Sequence, residues 1–157
     1  MIQGLHHAAY RCRNSEETRK FYEEFLELKL ARALKIDVTM TGREAAVLHT
    51  FYEMGDGSSI AFFEEPGAPF DFKDQRDFDL HIALEVDAAT LKRMFEKGKA
   101  SGVETRGVSD HEFIDSIYFR DPNGYVIELS AKKGEPPADR AAEAREILKD
   151  WTAQQSA

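Results

Sequence analysis

Two stretches of this chain repeat the same order of residue types, and the repeat restricts the folds that the chain can adopt. The first stretch begins at Gly4–Tyr10 and resumes much later at Gly57–Phe63. The second begins at Phe78–Leu84 and resumes at Gly124–Leu129. In each copy a histidine begins an apolar, strand-like run, and a glycine turn leads into a second such run. The repeat predicts two similar modules joined in tandem.

Each copy is predicted to have the element order β-α-β-β-β. Alternating apolar residues predict the strands, and apolar residues at helical spacing predict one helix in each copy. The elements predicted for the first copy are a strand over 3–12, a helix over 15–27 and strands over 30–38, 45–54 and 58–63. Those predicted for the second copy are a strand over 79–86, a helix over 88–100 and strands over 103–108, 113–120 and 125–130. We therefore expect an α+β fold in which two βαβββ modules form a shared, cupped mixed sheet, followed by a C-terminal helix.

The element pattern divides the chain into four segments. We expect the first module over 1–64, a linker containing Pro66, Gly67 and Pro69 over 65–78, the second module over 79–131 and a helical tail over 132–157. Pro136 and Pro137 are expected to precede the tail helix. Its apolar residues share one stripe and comprise Ala141, Ala144, Ile147, Leu148 and Trp151. Trp151 is expected to cover either the body of the chain or a second subunit, which would make the protein a homodimer.

The charge and composition exclude several kinds of partner. The net charge is −8, which argues against binding to nucleic acid and to anionic membrane surfaces. The single cysteine, Cys12, allows neither an internal disulfide nor a zinc site built from several cysteines. The chain begins directly in a strand pattern and contains no apolar run long enough to span a membrane, so we expect a cytoplasmic protein whose partner is a small-molecule substrate.

Three potential metal ligands occupy matching positions in the two copies. His7 and His81 begin equivalent strands, and Glu128 lies in the last strand of the second copy. His6 leaves the register uncertain by one residue, and we favour His7 because it aligns with His81. A lone histidine in a strand is more often structural than a ligand, but two histidines in equivalent positions favour a shared site. Two histidines and one carboxylate form a facial triad that leaves coordination positions open, as in non-haem Fe(II) oxygen chemistry.

Several of these motifs together resemble the vicinal oxygen chelate superfamily. The motifs are Gly4-Leu5-His6-His7, Phe21-Tyr22 and the nine residues from Asp121 to Leu129. This superfamily includes glyoxalase I, fosfomycin-resistance proteins, bleomycin-resistance proteins and extradiol ring-cleaving dioxygenases, and the resemblance covers nearly all of residues 2–131. It implies the two-module fold expected above and a divalent metal cofactor. Fe(II) is the expected ion, with Mn(II), Ni(II) and Zn(II) as alternatives.

One position departs from the glyoxalase I pattern. Glyoxalase I-like proteins carry a glutamate in the first module where this chain has Ala61. The ligand set implied by the resemblance is therefore His7, His81 and Glu128, without a fourth protein ligand. Glu64 and Glu65 are nearby in the chain but lie beyond the position that a ligand would need. This difference counts against glyoxalase I activity.

The stretch from Ser116 to Gly124 is especially similar to the matching stretch of extradiol dioxygenases. The similarity implies that Tyr118, ten residues before Glu128, hydrogen-bonds a substrate oxygen. It also implies that His111 lies beside the metal, where a neutral histidine can act as acid or base near neutral pH. The candidate substrate-binding residues are His49, Arg11 and Phe51. The alternatives are a surface position for His49, a salt bridge at the rim for Arg11 and plain core packing for Phe51.

Three functions are compatible with these residues. The first is an extradiol-type dioxygenase that cleaves the ring of a catechol-like vicinal diol. The second is a glyoxalase I-like lyase or isomerase, or a fosfomycin-resistance-like thiol transferase, which uses its metal only as a Lewis acid. The third is a non-catalytic resistance protein that binds a small molecule, and the presence of metal-ligand residues disfavours it. Fold alone does not decide among the three.

Overall fold

The computed structural model describes residues 1–134 and 140–155. The first module contains one helix and four strands: β1 (His7–Arg11), α1 (Ser15–Arg19, continuing as a π-helical segment Lys20–Phe25), β2 (Lys29–Val38), β3 (Glu44–Glu53) and β4 (Ser59–Glu64). The second contains β5 (Ile82–Glu85), α2 (Ala88–Ser101), β6 (Thr105–Asp110), β7 (Ile114–Arg120) and β8 (Val126–Lys132). A final helix, α3 (Ala141–Gln155), follows.

The strands form two four-stranded mixed sheets, one in each module. Their orders are β1-β4-β3-β2 and β5-β8-β7-β6, so the two sheets have the same topology. In each sheet the first strand pairs in parallel with the last, and the other pairs are antiparallel. These sheets confirm the α+β class and the tandem βαβββ modules predicted from the repeat. The backbone hydrogen bonds between strands lie within each module, so the strands form two sheets and not the one shared sheet that the sequence predicts.

Each sheet has a core face and an open face, because side chains alternate along a strand. The core face of the first sheet includes Cys12, Ile60 and Phe62, which are buried. Both modules share one core: the ring of Phe25, at the end of the first helix, lies 5.1 Å from that of Phe119 in β7, centroid to centroid. The open faces lie opposite the helices and carry the candidate site residues.

The turn from Asp121 to Gly124 links the second module to the first through side-chain hydrogen bonds. Its Asn123 side chain accepts a hydrogen bond from the backbone N–H of Arg13 at 2.9 Å and donates one to Thr18 at 3.2 Å. The Tyr22 hydroxyl donates to Asp121 at 3.1 Å. Burial raises the pKa of Asp121, and the hydrogen bonds it accepts oppose that shift. The Asp121–Gly124 motif therefore stabilises the contact between the two modules.

The C-terminal helix is exposed along its length. Ile147, Leu148 and Trp151 are each more than 60% exposed, so the body of this chain does not cover the predicted apolar stripe. Pro136 and Pro137, predicted to precede this helix, lie outside the described residues. Among the described residues, no helix has the length and apolar character that crossing a membrane requires.

Gly98 is buried where α2 packs against its sheet, and this contact leads to a stability prediction. A Cβ atom at this position would overlap the Thr105 hydroxyl and lie 2.6 Å from the ring of Phe119. We expect Gly98→Ala to lower the free energy of unfolding by about 1–3 kcal/mol, because overpacking outweighs the gain in helix propensity. Urea denaturation would measure this change. Gly55→Ala is the control, since a Cβ there meets no atom within 4 Å; equal stability of both variants would contradict the prediction.

Candidate metal centre

Four of the predicted site residues lie together on the open face of the second sheet. His81, His111, Tyr118 and Glu128 line one cavity of about 540 Å³. Tyr118 is the direct cross-strand neighbour of Glu128, so the two side chains share a face as their sequence parity predicts. The apolar part of the cavity wall consists of Phe78, Phe113 and Ile114.

His81 is oriented as a metal-binding histidine would be. Its Nδ1 lies 2.8 Å from the backbone carbonyl oxygen of Asp77, which can only accept a hydrogen bond, so Nδ1 carries the proton. The other ring nitrogen, Nε2, lies 3.1 Å from Oε2 of Glu128, so that either a proton or a metal ion can lie between these two atoms. A backbone carbonyl that fixes the tautomer in this way is the usual outer partner of a metal-binding histidine. The nitrogen and oxygen donors are adjacent and fit a divalent cation.

Glu128 is buried and held by two serines that sequence reasoning did not select as site residues. Its Oε1 accepts hydrogen bonds from the hydroxyls of Ser116 at 2.5 Å and Ser130 at 2.7 Å. Ser130 is two residues after Glu128 and pairs across the sheet with Ser116. The period of two along a strand places Ser130 on the same face as Glu128. Selecting Ser116 as well would have required the register between β7 and β8.

His111 and Tyr118 form a hydrogen-bonded pair beside these groups. The distance from His111 Nε2 to the Tyr118 hydroxyl is 3.1 Å. Burial raises the pKa of Tyr118, and the negative charge of Glu128 adds to the effect. The Arg106 guanidinium lies 5.2 Å from the centre of the Tyr118 ring and also pairs with Asp77 at 2.7 Å, which lowers the pKa of that carboxyl. Tyr118 thus stays protonated near neutral pH and is available as a hydrogen-bond donor.

The other predicted site residues lie on the open face of the first sheet. The ring of His7 is 5.6 Å from that of Phe51 and 6.4 Å from that of His49, centroid to centroid. His7 and Phe51 line a smaller cavity of about 210 Å³ together with Arg32. Arg32, a cross-strand neighbour of Phe51, is a cation on this face that sequence reasoning missed.

His49 and Arg11 are already engaged within the first module. His49 is buried rather than on the surface; its ring stacks on Phe63 at 3.7 Å, and its Nδ1 lies 3.0 Å from the carbonyl oxygen of Phe62. Arg11 pairs with Glu65 at 3.2 Å, which is the rim salt bridge considered as its alternative role. The charge of Arg11 is therefore already countered, and its contact with an anionic substrate group stays a prediction.

The strand register supports the alignment of the two modules. Ala61 faces Ala9 across β4 and β1, just as Glu128 faces Ala83 across β8 and β5. Ala61 is fully buried and occupies the position that Glu128 has in the second module. Neither Glu64 nor Glu65 replaces the missing acid: Glu64 accepts a hydrogen bond from the Ser15 backbone N–H at 2.7 Å, and Glu65 pairs with Arg11.

This chain alone does not assemble the expected triad. Within residues 1–134 and 140–155, no three His, Cys, Asp or Glu side chains lie close enough together to hold a metal ion. The physical reason is the separation of the two sheets: His7 lies on the open face of the first, and His81 and Glu128 lie on that of the second. Sequence parity predicted the face of each residue within its own sheet but not the relation between the faces.

A family model places these observations in context. The model of the Glyoxalase/Bleomycin resistance protein/Dioxygenase superfamily matches residues 4–129, so the chain belongs to this superfamily. A curated relative is the metallothiol transferase FosB of Shouchella clausii (strain KSM-K16), which is 26% identical over 140 residues. The match covers 82% of this chain and 80% of the relative.

Solved structures share the fold at low sequence identity. The fosfomycin resistance protein FosX of Listeria monocytogenes, solved with Mn(II) and a sulfate ion, is 21% identical with a TM-score of 0.64; the match covers 85% of this chain and 96% of FosX. A glyoxylase/bleomycin resistance protein/dioxygenase domain from Frankia sp. EAN1pec is 20% identical with a TM-score of 0.67, and the match covers 85% of this chain and all of that domain. At these identities the likeness establishes the fold alone.

Proposed function

We propose that this protein is a metal-dependent enzyme that binds its small-molecule substrate through two neighbouring oxygen atoms. The observation that carries the proposal is the preset pair of donors, His81 Nε2 and Glu128 Oε2, 3.1 Å apart on the wall of a cavity. When bound there, a divalent cation would supply Lewis acidity and coordination positions for substrate oxygens. Fe(II) is the ion expected for a His-His-carboxylate set, and Mn(II), with which FosX was solved, is a direct alternative.

The third ligand in this proposal is His7 of a second copy of the chain. Each copy has an open face with His7 and another with His81 and Glu128, so two copies related by a twofold axis would form two equivalent sites. His7 is exposed and is therefore accessible to a second copy of the chain. The apolar stripe of α3 around Trp151, which this chain leaves exposed, is a further surface available to a dimer.

The first candidate reaction is extradiol-type ring cleavage of a catechol-like diol. It is favoured by the His111–Tyr118 pair in the same cavity as His81 and Glu128. The Tyr118 hydroxyl would donate a hydrogen bond to a substrate oxygen, and His111 Nε2 would take or return a proton. The phenyl and aliphatic groups of Phe78, Phe113 and Ile114 would pack against the ring and exclude water.

The second candidate reaction is addition of a thiol to a small electrophile such as an epoxide. It is favoured by the similarity to the metallothiol transferase FosB over most of both chains. Here the same Tyr118–His111 pair would deliver a proton to the oxygen released when the ring opens. A non-catalytic binding protein is less well supported, because it has no need for an oriented nitrogen and oxygen donor pair.

Oxygen consumption separates the two reactions. The protein would be purified without oxygen, its metal content determined by elemental analysis, and a panel of catechols tested with an oxygen electrode. Iron together with oxygen uptake would support ring cleavage. Loss of a thiol with an epoxide in the presence of Mn(II), without oxygen uptake, would refute it and support the transferase. A cytoplasmic location stays a prediction.

Complementation between two inactive variants tests the shared site. We expect His7→Ala and Glu128→Ala each to lose tight Mn(II) binding, because each lacks one ligand in both sites. After unfolding and refolding together in equal amounts, about half of the dimers would be mixed, and each mixed dimer would contain one complete site. Recovery of about a quarter of the wild-type binding capacity, measured by calorimetry, would support the arrangement. No recovery by mixed dimers, isolated with two different affinity tags, would contradict it.

A further inference from the structure

The carboxylate of Glu128 is held asymmetrically. Oε1 accepts hydrogen bonds from both serine hydroxyls. Oε2 accepts none from the serines and lies 3.1 Å from His81 Nε2. A carboxylate oxygen has about two lone-pair directions, so two donors occupy Oε1. The two hydroxyl oxygens are themselves 3.1 Å apart, and each hydroxyl has only one proton to donate. When both donate to Glu128, Oε2 is the oxygen left with free acceptor capacity.

The sheet fixes this arrangement. Ser116 and Ser130 are direct cross-strand partners in β7 and β8, so the register sets the separation of their hydroxyls. Ser116 is fully buried and Glu128 is only 5% exposed. Bulk water therefore cannot take the place of the Ser116 hydroxyl without a change in packing.

The first module shows what stands in these positions when the acid is missing. By the same register, His49 corresponds to Ser116, Phe63 to Ser130 and Ala61 to Glu128. There the two flanking residues stack on each other at 3.7 Å and present no pair of hydroxyl donors. The module that has the carboxylate at this position has the serine pair beside it, and the module that has alanine there does not.

We infer that Ser116 and Ser130 are positioning residues that make Glu128 a ligand through Oε2 alone. By saturating Oε1, they prevent the carboxylate from rotating to bind the cation with both oxygens. One coordination position that bidentate binding would fill then stays open to substrate. This inference rests on the proposed metal-dependent function and identifies residues that control its geometry.

Metal affinity tests the inference with closely matched variants. We expect Ser116→Ala and Ser130→Ala each to weaken Mn(II) binding about 10–100-fold, the usual effect of removing an outer hydrogen-bond partner of a ligand. Ser130→Thr keeps a hydroxyl at a half-buried position and should bind as the wild type does. Ser109→Ala is the control, because Ser109 lines the same cavity opposite Ser116 but does not hydrogen-bond Glu128. Isothermal titration calorimetry measures the affinities, and circular dichroism verifies folding.

The absorption spectrum of the Co(II)-loaded protein provides a second measurement that a purely structural role would not change. If the serines enforce binding through one oxygen, Ser130→Ala should gain a coordinated oxygen, and its visible bands should weaken as the coordination number rises. Wild-type affinity and spectrum in both alanine variants would overturn the inference while leaving the proposed function intact. A wild-type protein without affinity for Mn(II) or Co(II) would overturn both.

Discussion

Glu128→Ala is expected to abolish tight divalent-metal binding while preserving the fold. The variant removes the only carboxylate donor of the proposed site, so the loss should exceed the roughly 10–100-fold change typical of outer partners. The fold should persist because the hydroxyls of Ser116 and Ser130, 3.1 Å apart, can hydrogen-bond each other once the carboxylate is gone. Calorimetric titration with Mn(II) and circular dichroism of the same sample would measure both properties.

Glu85→Ala provides the matched control for this result. Glu85 lies on the same open face, next to Ser130 across the strands, and its carboxylate pairs with Lys132 at the surface. Its removal changes the net charge by the same amount but leaves both proposed donors of this module in place. Equal metal binding by Glu128→Ala and Glu85→Ala would show that Glu128 is not a ligand.

Asp121→Ala is expected to cause the largest loss of stability of any variant considered. The Asp121 carboxylate accepts hydrogen bonds from the Tyr22 hydroxyl, from the backbone and side chain of Asn123 and from the backbone of Tyr125. All of these donors are buried, and each one left unpaired costs about 1–3 kcal/mol. We expect the free energy of unfolding to fall by about 4 kcal/mol, and urea denaturation would show a lower midpoint with a similar slope.

Two control variants separate the carboxylate from its surroundings. Tyr22→Phe removes one donor without leaving a buried group unpaired, so it should cost about 1 kcal/mol. Asp56→Ala alters the turn of the first module, where the exposed carboxylate accepts hydrogen bonds from one residue, Ser58, within the described part of the chain, and should have a smaller effect. If Asp121→Ala lowered the free energy of unfolding no more than Asp56→Ala does, the Asp121–Gly124 turn would not be what stabilises the contact between the modules.

The sequence was sufficient to predict the features that depend on short-range periodicity. The repeat specified two modules, and the period of two along strands placed His7 with Ala9 and Glu128 with Tyr118 on their faces. Register is strongly determined in such strands because a slip by one residue would bury the wrong side chains. The same reasoning aligns Ala61 with Glu128, and the strand register agrees with this alignment.

The features that depend on contacts between distant elements could not be predicted in this way. Nothing in the local pattern indicates that the two sheets stay separate, so the sequence predicts the triad within one chain. The pairing of Arg11 with Glu65 joins residues 54 positions apart, and the support of Glu128 by Ser116 depends on register between strands. These contacts arise from tertiary packing, which composition and spacing do not encode directly.

The difference between the two modules also limits how an acid could be introduced into the first one. A glutamate at position 61 would enter a fully buried position beside the stacked rings of His49 and Phe63. Burial of a carboxylate is costly unless donors satisfy it, so we expect Ala61→Glu alone to destabilise the first module. A fourth protein ligand at this position would therefore need changes at the neighbouring residues as well.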